Sequence, residues 1–126
     1  MERRYRLCKN VDFQRARRQG RSWANELLVL NVVANGLDRS RFGFSASRRI
    51  GKATARNRAK RLMREATRQQ RERIPAGWDV VLIARPSMRE AGFSAVERAV
   101  EQLLRRAHLL PESTAHAKAK EFSIRS

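Results

Sequence analysis

The chain has 126 residues, 41% of them hydrophobic, with 29 Arg and Lys against 12 Asp and Glu, giving a formal net charge of +17. That length supports one domain with a modest core, and a charge of that size points to a polyanionic partner, either nucleic acid or an anionic membrane. The membrane is set aside, since no apolar run approaches the roughly twenty residues needed to span a bilayer and no segment carries a large aromatic face opposite a basic one. The start of the chain is basic but lacks the apolar stretch of an export signal, so a cytoplasmic protein is expected. A single cysteine, Cys8, excludes an intrachain disulfide and a cysteine-based zinc site.

In chain order, Asn10 is placed to cap a short helix over about residues 11–18, with Gly20 as its stop. That helix brings Phe13, Ala16 and Arg17 to neighbouring positions. Leu27 to Ala34 is β-branched and apolar and ends at Asn35-Gly36, and Arg41 to Ser47 resumes as a strand, the pattern of a hairpin.

Residues 48–73 hold eleven Arg and Lys against two Glu, so nine of the seventeen net charges fall in 26 residues. Within this stretch Ala55, Ala59, Leu62, Met63 and Ala66 share one face at about 100° per residue. Arg56, Asn57, Lys60, Arg61, Arg64 and Arg68 fall on the other side. Thr54 as a cap and Pro75 with Gly77 as a stop predict a helix of about twenty residues. A merely solvated helix alternates its charges, because like charges four apart cost roughly 0.2 to 0.5 kcal/mol per pair. Here Lys60, Arg64 and Arg68 stand four apart with the same sign, so the ridge reads as a phosphate-binding surface. Arginine outnumbers lysine 24 to 5, which fits bidentate phosphate recognition and equally the codon bias of a GC-rich genome.

Trp78 to Ala84 is almost continuously apolar, as in a strand covered on both faces, and Pro86 ends it. Ser94-x-x-Glu97 has the spacing of a capping box and opens a last helix carrying Val96, Val100, Leu103, Leu104 and Ala107 before Pro111. The chain from Glu112 is polar and aperiodic. One domain over residues 1–111 and a mobile tail over 112–126 are therefore expected. The element order, helix, two or three strands, basic helix, strand, helix, predicts an α+β fold: a two-layer sandwich of a mixed sheet with helices. The basic helix covers one face, and the sheet forms a groove with the first helix where Phe13, Arg48 and Arg49 converge.

The chain offers little chemistry of its own. Metal-assisted phosphodiester hydrolysis needs acidic residues converging on divalent ions, and here they are scattered. Glu97 and Glu101 share a helix face, but Arg105 follows Glu101 by four residues, the spacing of an ion pair. His108 and His116 lack partners at useful spacing, and Asp12 reads as a second capping or solvated residue ahead of one that approaches an ion bound with nucleic acid. Phe13 and Trp23 can each be read as a core residue or as a stacking platform. No catalytic or metal-binding residue is expected.

The run from Phe42 to Ala53, followed by Ala55 to Arg61 with Arg56-Asn57-Arg58 at its centre and then Arg64-Glu65, resembles the bacterial ribonuclease P protein subunit. Lys9-Asn10-x-Asp12-Phe13, Gly20, and Gly77-x-Asp79 continuing to Arg85 agree with the same family pattern, so the resemblance spans about residues 5–107. It implies an accessory protein, monomeric in a ribonucleoprotein whose RNA subunit cuts the 5′ leader from precursor tRNA. It further implies that Mg2+ is held by RNA and substrate and that the protein alone is inactive. It also implies a left-handed crossover around the basic helix, against the usual right-handed rule. Residue by residue, it assigns Arg56, Asn57, Arg58, Lys60, Arg61, Arg64 and Arg68 to the RNA subunit. Phe13, Arg17, Asn31, Ser47, Arg48 and Arg49 go to a cleft for the single-stranded leader. The family often has aromatics where this chain has Arg17 and Asn31, which thins the stacking here. Arg17 can stack its guanidinium plane on a base, and Trp23 lies nearby in sequence. The alternative is a basic ribosomal or other structured-RNA-binding protein; a DNA-binding regulator would need a recognition helix in a dimeric setting.

Overall fold

Four strands build one sheet in the computed structural model, which describes residues 2–111. The strands are β1 (Arg21–Ala24), β2 (Leu28–Ala34), β3 (Arg41–Ala46) and β4 (Trp78–Ala84), and the helices are α1 (Asn10–Gln19), α2 (Ala53–Arg68) and α3 (Phe93–Arg106). Their order across the sheet is β1-β2-β4-β3. β4 runs antiparallel to β2 and parallel to β3, so the sheet is mixed and the class is α+β, as expected. The tail expected from Glu112 lies outside the described residues.

The expected hairpin between residues 27–34 and 41–47 does not form. β4 stands between those strands, and β2 instead makes its hairpin with β1. Asn25 builds that turn, its side-chain oxygen accepting from the backbone N–H groups of Leu27 and Leu28 at 3.1 and 3.0 Å. The reason is the apolar character of β4. A strand with almost no polar side chain is best paired on both edges and covered on both faces, so β4 takes an interior position and β3 becomes an edge.

Side-chain alternation divides the sheet cleanly. Leu28, Leu30 and Val32 of β2, Phe42 of β3, and Val80, Leu82 and Ala84 of β4 join Met63 of α2 and Leu103 of α3 in the main core. On the opposite face a smaller cluster of Leu7, Ala16 and Val81 has Phe13, Val33 and Ile83 packed against it. The sheet with α2 and α3 forms the expected two layers, and α1 adds a partial third on the other face.

Helix starts depart from the cap chemistry read in the sequence. Lys9, Lys52 and Gly92 occupy the N-cap positions with no side-chain cap bond, while Asn10, Thr54 and Ser94 lie inside their helices. Buried residues just upstream, Leu7, Ile50 and Met88, fix each chain segment first, and the helix begins where the backbone leaves the core. α2 is correspondingly shorter than expected, at 16 residues. Gly20 does stop α1. Its N–H bonds to the Ala16 carbonyl at 3.0 Å, and a side chain there would lie 2.3 Å from that oxygen and 2.7 Å from the Val32 carbonyl.

Candidate nucleic-acid interface

Because α1 covers only part of its face, an open cleft of about 440 Å³ remains between α1 and the β3 edge. Asn10, Phe13, Gln14 and Arg17 of α1 form one wall, Asn31, Val81 and Ile83 the floor, and Phe44 to Ser47 the other wall. Lys60 of α2 reaches its rim, as does Cys8. The Phe13 ring rests on Gly43, where an added Cβ would meet the ring at 2.6 Å. Glycine at that position admits the close approach of the ring rather than serving a turn. The ring is half-buried, seated on the sheet but open to the cleft.

Of the six residues expected in the cleft, Phe13, Arg17, Asn31 and Ser47 line it, and Arg48 and Arg49 do not. The turn closed by Ile50 N–H on the Ser47 carbonyl and by Gly51 N–H on the Arg48 carbonyl, both at 3.1 Å, follows the cleft wall directly and buries Ile50. Arg48 instead lines a depression at the start of α2 with Lys52, Arg56 and Arg89. Trp23 packs against the main core on the opposite face, with Arg21 5.4 Å from its ring centre. It cannot supply the aromatic that the cleft lacks.

The ridge of α2 is less uniform than its sequence. Asn57, Arg61 and Arg68 are exposed, with Arg68 paired to Glu65 at 2.9 Å. Arg58 donates to the carbonyl of Ala91 at 2.9 Å, tying α2 to the loop before α3. Arg64 lies 5.9 Å from the ring centre of Phe44, so this arginine and Lys60 sit where ridge and cleft meet. Gly43, Phe44 and the cleft-facing position of Lys60 were missed in the sequence, although alternation in Phe42-Gly43-Phe44 sets Gly43 on the face opposite the two rings.

Beside the cleft lies a buried carboxylate. Asp79 of β4 is fully enclosed and accepts from Arg41 Nε and Nη2 at 2.9 and 2.8 Å, from Arg15 Nη2 at 2.8 Å and from Asn35 Nδ2 at 2.9 Å. Burial pushes its pKa up, but the bonds from Arg41, Asn35 and Arg15 outweigh this and hold it below the ordinary value of 3.8. The bond to Asp79 raises Arg41 in turn. Asp12, expected as a cap, approaches Arg41 at 3.6 Å instead. Glu101 makes the expected pair with Arg105 at 3.3 Å and also accepts from Gln70 at 2.8 Å. Among the described residues, no three His, Cys, Asp or Glu gather where they could hold a metal ion, and no helix is long and apolar enough to cross a membrane.

This arrangement, a helix dense in arginine beside a half-aromatic polar cleft, agrees with the family that the sequence resembles, and a family model for ribonuclease P matches residues 1–108. The chain belongs to the ribonuclease P protein family. The ribonuclease P protein component of Roseiflexus sp. (strain RS-1) is 43% identical over 114 residues, covering 90% of this chain and 93% of that one. That of Alkaliphilus metalliredigens is 39% identical over 105 residues, covering 83% and 95%. The solved RNase P protein of Staphylococcus aureus superposes with a TM-score of 0.78 at 32% identity, covering 85% of this chain and 98% of that one. The Thermotoga maritima RNase P protein gives 0.73 at 37%, covering 80% and 96%. Membership in the ribonuclease P family ties the chain to a tRNA-processing endoribonuclease complex and implies an RNA partner, which decides against the ribosomal alternative.

Proposed function

We propose that the chain binds the catalytic RNA subunit through the exposed ridge of α2 and holds the 5′ leader of precursor tRNA in the cleft between α1 and β3. The observation that carries this reading is the contrast between the two surfaces. A convex row of guanidinium groups suits the phosphates of structured RNA, which is recognised by shape and backbone. A groove lined by two aromatic rings, amides and isolated cations suits a single strand, where each stacked base contributes roughly 1 to 3 kcal/mol. In the cleft Phe13 offers its face to a base, Arg17 and Lys60 meet phosphates, and the buried amide of Asn31 meets a base edge. The same reading takes the β3–α2–β4 connection as the left-handed crossover and sets the complex in the cytoplasm.

Catalysis then belongs to the RNA. The carboxylates nearest the cleft, Asp12 and Asp79, are committed to Arg41 and Arg15 and do not suit a divalent ion, so Mg2+ is held by RNA and substrate. The protein binds and orients the leader. Mixing experiments test this: the purified protein should leave precursor tRNA intact, and adding the cognate RNA subunit with Mg2+ should give a single cut at the mature 5′ end. Mg2+-dependent cleavage by RNA-free protein overturns the proposal.

A further inference from the structure

α1 is held to the sheet by little apolar surface. It has ten residues, short for a helix that must stand on its own propensity, no side-chain cap, and Ala16 as its one fully buried side chain. Val11 is 67% exposed. Its two ends are fixed: Leu7 N–H bonds to the Phe42 carbonyl at 2.7 Å just before it, and Gly20 seats against the Val32 backbone just after it. Neither end determines how the helix is rotated about its own axis.

Beyond the seat of Ala16 and of the Phe13 ring, α1 is bonded to the sheet from the flank that faces away from the cleft. Phe13, Arg17, Asn10 and Gln14 lie within about 100° of one another around the helix, whereas Arg15 lies about 160° round from Phe13 and Asp12 about 60° from Arg15. The first group lines the cleft. The second reaches the Asp79 hub: Arg15 bonds to Asp79 at 2.8 Å and to the Ala34 carbonyl at 3.2 Å, and Asp12 approaches Arg41 at 3.6 Å. A helix pinned at its ends and pulled down on one flank presents the other flank at a set height.

We infer that Asp79 and Arg15 are positioning residues for the leader cleft, fixing the roll of α1 and through it the placement of Phe13 and Arg17. This rests on the reading of the cleft given above. The pair touches no leader nucleotide and acts through the helix. Arg41 and Asn35 already give Asp79 three hydrogen bonds without Arg15. The bond from Arg15 thus adds a connection to α1 that the carboxylate's own satisfaction does not require.

The test is Arg15→Met, which keeps the apolar stem and leaves Asp79 paired. In the holoenzyme assembled on the RNA subunit, the preference for leader-bearing over mature tRNA should fall about tenfold, the scale of one lost charge-assisted hydrogen bond. Affinity for the RNA subunit and the melting temperature should hold near their original values. Arg15→Lys, which restores a single bond to Asp79, should recover most of the preference. A second readout follows α1 directly: the Gly43 α-hydrogen that stands where a side chain would begin points at the Phe13 ring, so its ring-current-shifted NMR resonance should move in Arg15→Met and return in Arg15→Lys. An unmoved Gly43 resonance overturns the inference, as does an unchanged leader preference in the Met variant. Equal binding of leader-bearing and mature tRNA by the unsubstituted holoenzyme overturns the cleft reading itself, and this inference with it.

Discussion

On the side of the sheet covered by α2 and α3, Leu28, Leu30, Leu82, Met63, Leu103 and Leu104 are all fully enclosed in one continuous apolar cluster. On the α1 side, three buried apolar residues share the face with a buried carboxylate, a buried asparagine and an open cleft. Each large apolar side chain taken fully out of water contributes roughly 1.5 to 3 kcal/mol, so the first face carries most of the stability. The second face is thereby free to hold polar groups and unfilled space, which a recognition surface needs and a core does not tolerate.

Three substitutions probe this division, in falling order of expected effect. Leu82→Ala, at the centre of the sealed face, should destabilise the protein by about 2 to 5 kcal/mol, visible as a lower denaturation midpoint with all RNA interactions weakened together. A selective loss of leader binding with unchanged stability would contradict the division. Phe13→Ala, on the open face, should cost the assembled holoenzyme roughly 1 to 3 kcal/mol of affinity for leader-bearing tRNA, with mature tRNA and RNA-subunit binding kept. A large fall in melting temperature without any leader-specific loss would return Phe13 to the core. Arg61→Glu, on the exposed ridge, should reduce the slope of log K against log salt for RNA-subunit binding by about 0.7 to 0.9 for each phosphate no longer neutralised and leave the melting temperature unchanged. A slope that does not move would make Arg61 an ordinary solvated side chain.

Periodicity made α2 readable. Ala59, Met63 and Ala66 are buried on one face, as their spacing requires, and the strand at Trp78 to Ala84 follows from its apolar run. Strand order was not readable in the same way, because the pattern of β3 is satisfied equally beside β2 or beside β4, and only the need of β4 for two partners separates them. Asp79 carries a signal of its own: one carboxylate within a buried apolar strand must find cations, and Arg15 and Arg41 supply them from 64 and 38 residues away. Phe13, Arg17, Asn31 and Ser47 gather in one cleft where the family resemblance put them. The same resemblance could not foresee that a tight turn leaves Arg48 and Arg49 out of the cleft lining, with Arg48 at the start of α2, because local backbone direction there depends on where Ile50 is buried.

The position of β4 also orders events during synthesis. β2 leaves the ribosome with one edge unpaired and β3 with no strand beside it, and the strand that joins them follows only after the whole of α2. Until Trp78 to Ala84 is made, the cleft lacks the Val81 and Ile83 part of its floor, and Arg15 and Arg41 lack the carboxylate that joins them. Pairing of such separated segments is slow relative to local structure, and waiting strand edges invite contact with other chains. The dense positive charge that precedes β4 works against that contact by mutual repulsion. A helix suited to polyanions is therefore complete before the domain that carries it can close.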